Sequence, residues 1–216
     1  MPSGRGNKKE ELVKAAERLF SEKGYKNTSV DDICEEVGVA HGLFYYYFET
    51  KEEIIEAITK RMIDEVENML AEIVDDPYLQ ADEKFIKFMT VAFQRKKDKP
   101  YMVSHYNKQN DPNIYYKLFN RTVEVTTPYL TDIVEQGIEE GVFHTKYHEQ
   151  TIRFWLNGRM FFMDEEGSIK EGLLDDLKAE AFILERLLGA EKPFLTKFYE
   201  IYEDEINEFV ESTKRG

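Results

Sequence analysis

Residues 28–51 read TSVDDICEEVGVAHGLFYYYFETK, and this stretch decides the fold. It spells two short helices joined by a tight turn. Thr28 is placed to cap the first helix, and Asp31, three residues later, completes a capping box. Val30, Ile33, Cys34 and Val37 fall at helical spacing and give that helix one apolar face. Gly38 then stops it, because glycine enters the left-handed conformation without strain. A second helix is expected from about Ala40 to Phe48. Cys34 is small, as a residue must be where two helices cross closely. Two helices crossing steeply over a glycine-containing turn form the helix-turn-helix unit, whose second helix enters the DNA major groove.

The flanks extend the pattern. Upstream, Leu12, Ala15, Ala16, Leu19 and Phe20 follow the spacing of an amphipathic helix, which Gly24 closes. Downstream, Thr50 caps a longer helix with Glu53 at its third position. The ordered series AAERLFSEKGYKNTSVDDICEEVGV followed by GLFYYYFETKEEIIEAI resembles the DNA-binding domain of the TetR/AcrR family of transcriptional regulators. The resemblance covers about the first quarter of the chain.

The chain has 216 residues, 42% of them hydrophobic, enough for one or two domains with a sizeable core. No apolar run approaches the roughly 18 residues of a membrane span. The beginning, MPSGRGNKKEE, carries no hydrophobic signal region. A single cysteine excludes an internal disulfide and fits a reducing cytoplasm, the expected location. The net charge of −14 is unevenly placed. Residues 1–48 hold seven Lys/Arg against eight Asp/Glu, a balance of −1, leaving −13 for the rest. That acidic body reads either as a well-solvated surface or as an orienting device, repelled by phosphate so that only the near-neutral head approaches DNA. Arg5, Lys8 and Lys9 precede the first helix, as a disordered basic tail or as an arm contacting phosphate or the minor groove.

Ile54, Ile55, Ile58, Met62, Val66, Met69 and Ile73 mark one long helix that ends before Asp75-Asp76-Pro77. Beyond it the pattern is helical throughout, with no strand alternation and no repeat. Ile114 to Glu140 is helical, but Pro128 is expected to kink or restart it, with Thr127 as a cap. Residues 148–164 are apolar on more than one side and need more than one buried face. Leu174, Leu177, Ala181, Leu184 and Leu188 form a stripe ended by Gly189, and Pro193 opens a last helix through Phe209.

The resemblance implies an all-α protein: a three-helix helix-turn-helix head with its basic arm over residues 1–50, and an effector-binding and dimerisation domain over 51–216. Residues 51–74 form the linking helix. It implies double-stranded DNA as partner. The expected DNA-contacting set is Arg5, Lys8, Thr28, Ser29, His41, Gly42, Leu43, Tyr45, Tyr46, Tyr47 and Lys51. His41, Gly42 and Leu43 lie at the helix N-terminus that meets base edges, with Leu43 suited to a thymine methyl. Lys51 matches a phosphate-contacting lysine of the family. Asp31 stands where some relatives carry a base-reading arginine, and that role is not carried over. Tyr46 and Tyr47 either contact DNA or pack on the linking helix.

For the body, the resemblance implies a cavity for a small, largely apolar effector, walled by Met89, Phe93, Tyr106, Tyr116, Phe119, Tyr129, Trp155 and Arg159. Arg159 or His105 is suited to holding one carboxylate. The resemblance also implies a homodimer on 148–164 and 172–188 through Trp155, Phe162, Leu177 and Leu184; the well-developed last helix departs from the family pattern and is placed either to join that interface or to replace part of it. No phosphate loop or nucleophile motif is present, so an enzyme is not expected. His144 and His148, four apart, lack a third and fourth metal ligand, so no metal or other cofactor is expected. The reading is a ligand-responsive repressor binding a palindromic operator. The alternative is a ligand-binding or scaffolding dimer whose helix-turn-helix no longer binds DNA specifically.

Overall fold

The first helix-turn-helix element begins one residue later than its capping pattern reads. In the computed structural model, which describes residues 5–98, 112–162 and 173–213, helix α2 spans Val30–Val37 with Ser29 as N-cap. The Ser29 hydroxyl accepts from the Asp32 amide at 3.1 Å, and the Asp32 carboxylate accepts from the Ser29 amide at 2.7 Å. Thr28 and Asp31 are therefore not the box. Both pairs have the right spacing, and burial decides between them. Thr28 is turned inward, and its hydroxyl donates to the Gly24 carbonyl at 2.9 Å, satisfying the end of the preceding helix.

That preceding helix, α1, spans Arg5–Lys23, and Gly24 ends it at φ 81°. Its start corrects the expected arm: Lys8 and Lys9 lie on the helix rather than before it, and Lys8 pairs with Glu11 at 2.7 Å. Gly38 ends α2 in the left-handed region, φ 67°. Helix α3, His41–Tyr47, is short and buries Phe44, with Phe48 tucked in just beyond its end. Thr50 caps α4, Lys51–Val74, accepting from the Glu53 amide at 3.2 Å. Glu53 in turn accepts from the Glu49 amide at 2.8 Å.

Helix α4 belongs to two cores. Ile54, Ile55, Ile58 and Met62 pack with Leu12, Ala16, Phe20, Ile33 and Phe44 in the head. Leu70 and Ile73 pack in the body. At a rise of about 1.5 Å per residue, one rigid rod of roughly 36 Å carries both clusters.

The body continues with α5 (Ala81–Asp98), α6 (Pro112–Glu139), α7 (His148–Phe162), α8 (Leu173–Leu188), α9 (Leu195–Ile201) and α10 (Glu203–Thr213). The described residues thus form ten helices and no strand. Phe85 sits at the centre of the body core, its ring 5.7–6.4 Å from those of Phe194, Phe143 and Trp155. Lys84 is buried and donates to the Val74 carbonyl at 2.6 Å and to Gln136 at 2.8 Å, so it caps the end of α4.

Two expectations are corrected here. Helix α6 continues through Pro128 without restarting, and Thr127 is not a cap but donates back to the Val123 carbonyl at 2.6 Å. A proline inside a helix removes one hydrogen bond; burial of Leu130, Ile133 and Val134 on the next turns holds the rod together. The last helix is two, α9 and α10, divided at Tyr202. The start of α9 lacks a local cap, so Glu185 of α8 supplies one, accepting from the Phe194 and Thr196 amides at 2.7 and 2.9 Å.

Candidate nucleic-acid interface

Helix α3 divides its seven residues between core and solvent. Phe44 points inward, its ring 5.6 Å from Phe48. His41, Gly42, Tyr45 and Tyr46 are exposed, Tyr45 by 55% and Tyr46 by 67%. Leu43 and Tyr47 are half-buried, and Tyr47 packs against the head core, with its ring 4.9 Å from that of Tyr46. Two exposed phenols beside an exposed imidazole on a rigid helix form a surface suited to phosphate, sugar and base edges.

The other expected contacts are placed differently. The Thr28 side chain is buried and engaged with α1. The Ser29 hydroxyl is exposed but shared with Asp32, 2.6 Å away. The Lys51 ammonium donates to the Tyr25 carbonyl at 2.8 Å and the Thr28 carbonyl at 3.0 Å, and lies 3.9 Å from the Tyr25 ring centroid. It thereby pins the α1–α2 turn to the start of α4, with two of its three N–H donors engaged. The side chain of Arg5 lies outside the described residues.

Charge at this surface is mixed. Asp31, Glu35 and Glu36 are exposed on α2, and Glu36 pairs with Arg18. The Asp32 carboxyl is held down to about 2 by hydrogen bonds from the Ser29 hydroxyl and amide and from Lys23. Asp31, expected to complete a capping box with Thr28, instead pairs through Oδ1 with Nε2 of His41. Its ten-residue separation across a turn left no helical periodicity from which that pairing was legible.

In the body, three of the expected cavity residues meet. Arg159 Nη1 lies 3.9 Å from the Met89 sulfur, and its guanidinium carbon lies 5.0 Å from the Trp155 ring centroid. Arg159 is also committed to buried Glu180 at 2.5 Å. Tyr199 adjoins this pair, and burial pushes its hydroxyl up to about 12, with Arg159 opposing. The indole N–H of Trp155 is buried with no acceptor among the described residues. Tyr129 reaches instead toward Glu67 of α4, at 3.4 Å. Phe93 is half-buried against the body core, Phe119 is half-buried and Tyr116 exposed. Tyr106 and His105 lie outside the described residues.

Of the expected interface residues, Trp155 and Leu184 are in the body core, Leu177 packs against that core, and the side chain of Phe162 lies outside the described residues. Among the described side chains, the exposed large apolar residues of α7 and α8 are Phe154, Phe182, Ile183 and Leu187. His144 and His148 face Glu191 at 3.5 Å and Glu135 at 3.2 Å. No group of three metal-ligating side chains occurs among the described residues, and no described helix is long and apolar enough to cross a membrane.

Known proteins resemble the chain along both parts. A family model described as bacterial regulatory proteins, tetR family, matches residues 12–58, and one described as the tetracyclin repressor-like C-terminal domain matches residues 101–173. The HTH-type transcriptional repressor KstR2 of Rhodococcus jostii (strain RHA1) is 24% identical over 146 residues, covering 66% of this chain and 71% of that protein. Among solved structures, a transcriptional regulator from Cytophaga hutchinsonii superposes with a TM-score of 0.67 at 20% identity, over 85% of this chain and 97% of that one. RolR in complex with resorcinol superposes with a TM-score of 0.61 at 15% identity, over 90% of this chain and 94% of that one.

Proposed function

The chain belongs to the TetR family of bacterial regulatory proteins and is a DNA-binding transcriptional regulator; we propose that it represses by gripping a palindromic operator as a homodimer and releases it when a small molecule enters the body. The observation that carries the reading is α3. A short helix held by its own buried Phe44 presents His41, Gly42, Tyr45 and Tyr46 outward from a closed head. Exposed tyrosines on a rigid helix need a partner surface, and the major groove admits one helix. Selection of bound genomic fragments is the test. An enriched palindrome supports the reading; no enrichment at any salt concentration sinks it and favours a ligand-binding dimer with a silent head, for which the exposed acids of α2 speak.

The dimer surface we assign is the outer face of α7 and α8, where Phe154, Phe182, Ile183 and Leu187 are exposed side by side with core-facing Trp155 and Leu184. A two-fold axis covers such a face with its own copy. The release mechanism we assign runs through α4. Glu17 of α1 pairs with Arg61 of α4, Arg61 approaches Glu65 at 3.9 Å, and Glu65 pairs with Arg95 of α5 at 2.7 Å. On the other side Lys117 of α6 reaches Glu56 at 2.5 Å, and Leu118 packs on the head core. Head and body are thus coupled through ions as well as through a shared helix. A ligand shifts the head only by its differential affinity for two states, so about 100-fold release needs roughly 2.7 kcal/mol.

The effector we propose is small and largely apolar, lying against Met89 and Trp155. A strong anion is disfavoured there because Glu180 already neutralises Arg159. Trp155 is the single tryptophan, so its fluorescence reports on binding. A ligand that quenches it while leaving operator affinity unchanged removes the coupling from this account.

A further inference from the structure

We propose that Asp31 is a positioning residue for base recognition: it holds the His41 imidazole so that Nδ1 faces the major groove as an acceptor for the exocyclic amino group of cytosine or adenine. The inference rests on the DNA-binding reading above and adds the chemistry of one contact. His41 is the first residue of α3, the end that meets base edges in helix-turn-helix docking. Asp31 lies in the first turn of α2, and its Oδ1 meets Nε2 of His41 across the turn. Both side chains remain open to solvent, 53% for His41 and 72% for Asp31, so the pair lies on the surface and not in the head core.

A carboxylate oxygen only accepts, so the nitrogen against it carries the proton. A neutral imidazole then has its lone pair on the other nitrogen, Nδ1. The Tyr45 ring stands T-shaped to the His41 ring with centroids 6.5 Å apart, so the imidazole has an aromatic neighbour on its own helix as well as the carboxylate across the turn. Guanine offers two acceptors in the major groove, N7 and O6, and thymine offers O4; cytosine and adenine offer amino donors. Nδ1 and the nearby carboxylate charge both disfavour the acceptors and favour the donors. Asp31 therefore acts through His41, and it need not touch DNA itself.

The experiment is selection of half-sites from a randomised pool at pH 8 and fixed salt, using the full chain. His41→Ala and Asp31→Ala are each expected to relax the preference at the same base pair by roughly tenfold, within the range for loss of one good base contact. The double variant is expected to lose no more than either single one, because both remove one device. Asp31→Asn, which keeps an acceptor oxygen, is expected to retain most of the preference. Thermal melting of each variant separates loss of fold from loss of reading. The proposal is overturned if Asp31→Ala changes preference at a different base pair. It is also overturned if that variant tightens binding to every sequence with the preference intact, or if the wild-type selects guanine at the position that His41→Ala relaxes. Failure of the wild-type protein to enrich any sequence would overturn the DNA-binding reading itself, and this inference with it.

Discussion

Ser29 and Thr28 stand side by side in the chain and do unrelated work. Ser29 caps α2 from outside, while Thr28 closes α1 from inside. Ser29→Ala should cost the head about 1 kcal/mol, read as a lowered denaturant midpoint at unchanged slope. The cap is also pH-dependent. The Asp32 carboxyl lies below its ordinary 3.8, at about 2, so its contribution is complete above 3.8 and disappears as pH falls toward 2. The stability difference between the wild-type and Asp32→Asn proteins should therefore be constant near neutrality and shrink through that acid window. Lys51 makes a second residue-scale case. Its ammonium bonds two turn carbonyls and has one proton left for phosphate. Lys51→Ala should lower the melting temperature, weaken binding to all duplexes alike and flatten the log–log salt slope by about 0.9. A changed base preference with the salt slope intact would contradict this assignment.

At the scale of elements, α7 and α8 each have a buried and an exposed apolar face. Phe154→Glu and Ile183→Glu should yield folded monomers in sedimentation, since neither side chain is in the core. Leu184→Glu should unfold the body instead, because Leu184 is fully buried among apolar neighbours. A dimer that survives both exposed-face substitutions would place the interface elsewhere, with α9 and α10 the next elements to probe. The junction after α6 is equally specific. Phe143 folds back onto Gly137, and a methyl there would overlap the Phe143 ring and approach the Ala81 methyl to 2.9 Å. Gly137→Ala should accordingly cost about 1–3 kcal/mol through overpacking, visible as a lower melting temperature.

For the whole molecule, the question is how a body event reaches the head. The ionic series from Glu17 through Arg61 and Glu65 to Arg95 links α1, α4 and α5, while Lys117 and Leu118 bring α6 against the head. Most of these pairs are only partly exposed, where screening by water is weaker than at the open surface. Arg95→Gln should leave Trp155 quenching by an effector in place yet reduce effector-driven release from DNA by roughly fivefold, about 1 kcal/mol of coupling. Unchanged release would assign the coupling to the shared apolar rod of α4 alone. Charge acts at the same scale. With −1 on residues 1–48 and −13 beyond, the body is repelled by phosphate while the head is nearly indifferent, which favours approach head first.

The chain's local signals determined a good deal by themselves. Glycines at 24, 38, 141 and 189 all adopt positive φ at helix ends, because only the absence of a side chain makes that conformation free of strain. The apolar spacing of α1, α2, α4 and α8 was likewise legible, since a 3.6-residue period is written in consecutive residues. What the tertiary structure decided were choices between local equivalents. Thr28 or Ser29 as cap was settled by which hydroxyl lay under α1. Passage through Pro128 was settled by burial of the turns that follow it. The inward face of α7 and α8 was settled by the aromatic cluster around Phe85, which took Trp155 and left Phe154 outside. The pairing of His41 with Asp31, and of Arg159 with Glu180, joins residues on different helices. Helical periodicity says which side of a rod is apolar, but where two rods meet depends on the packing of every other side chain between them.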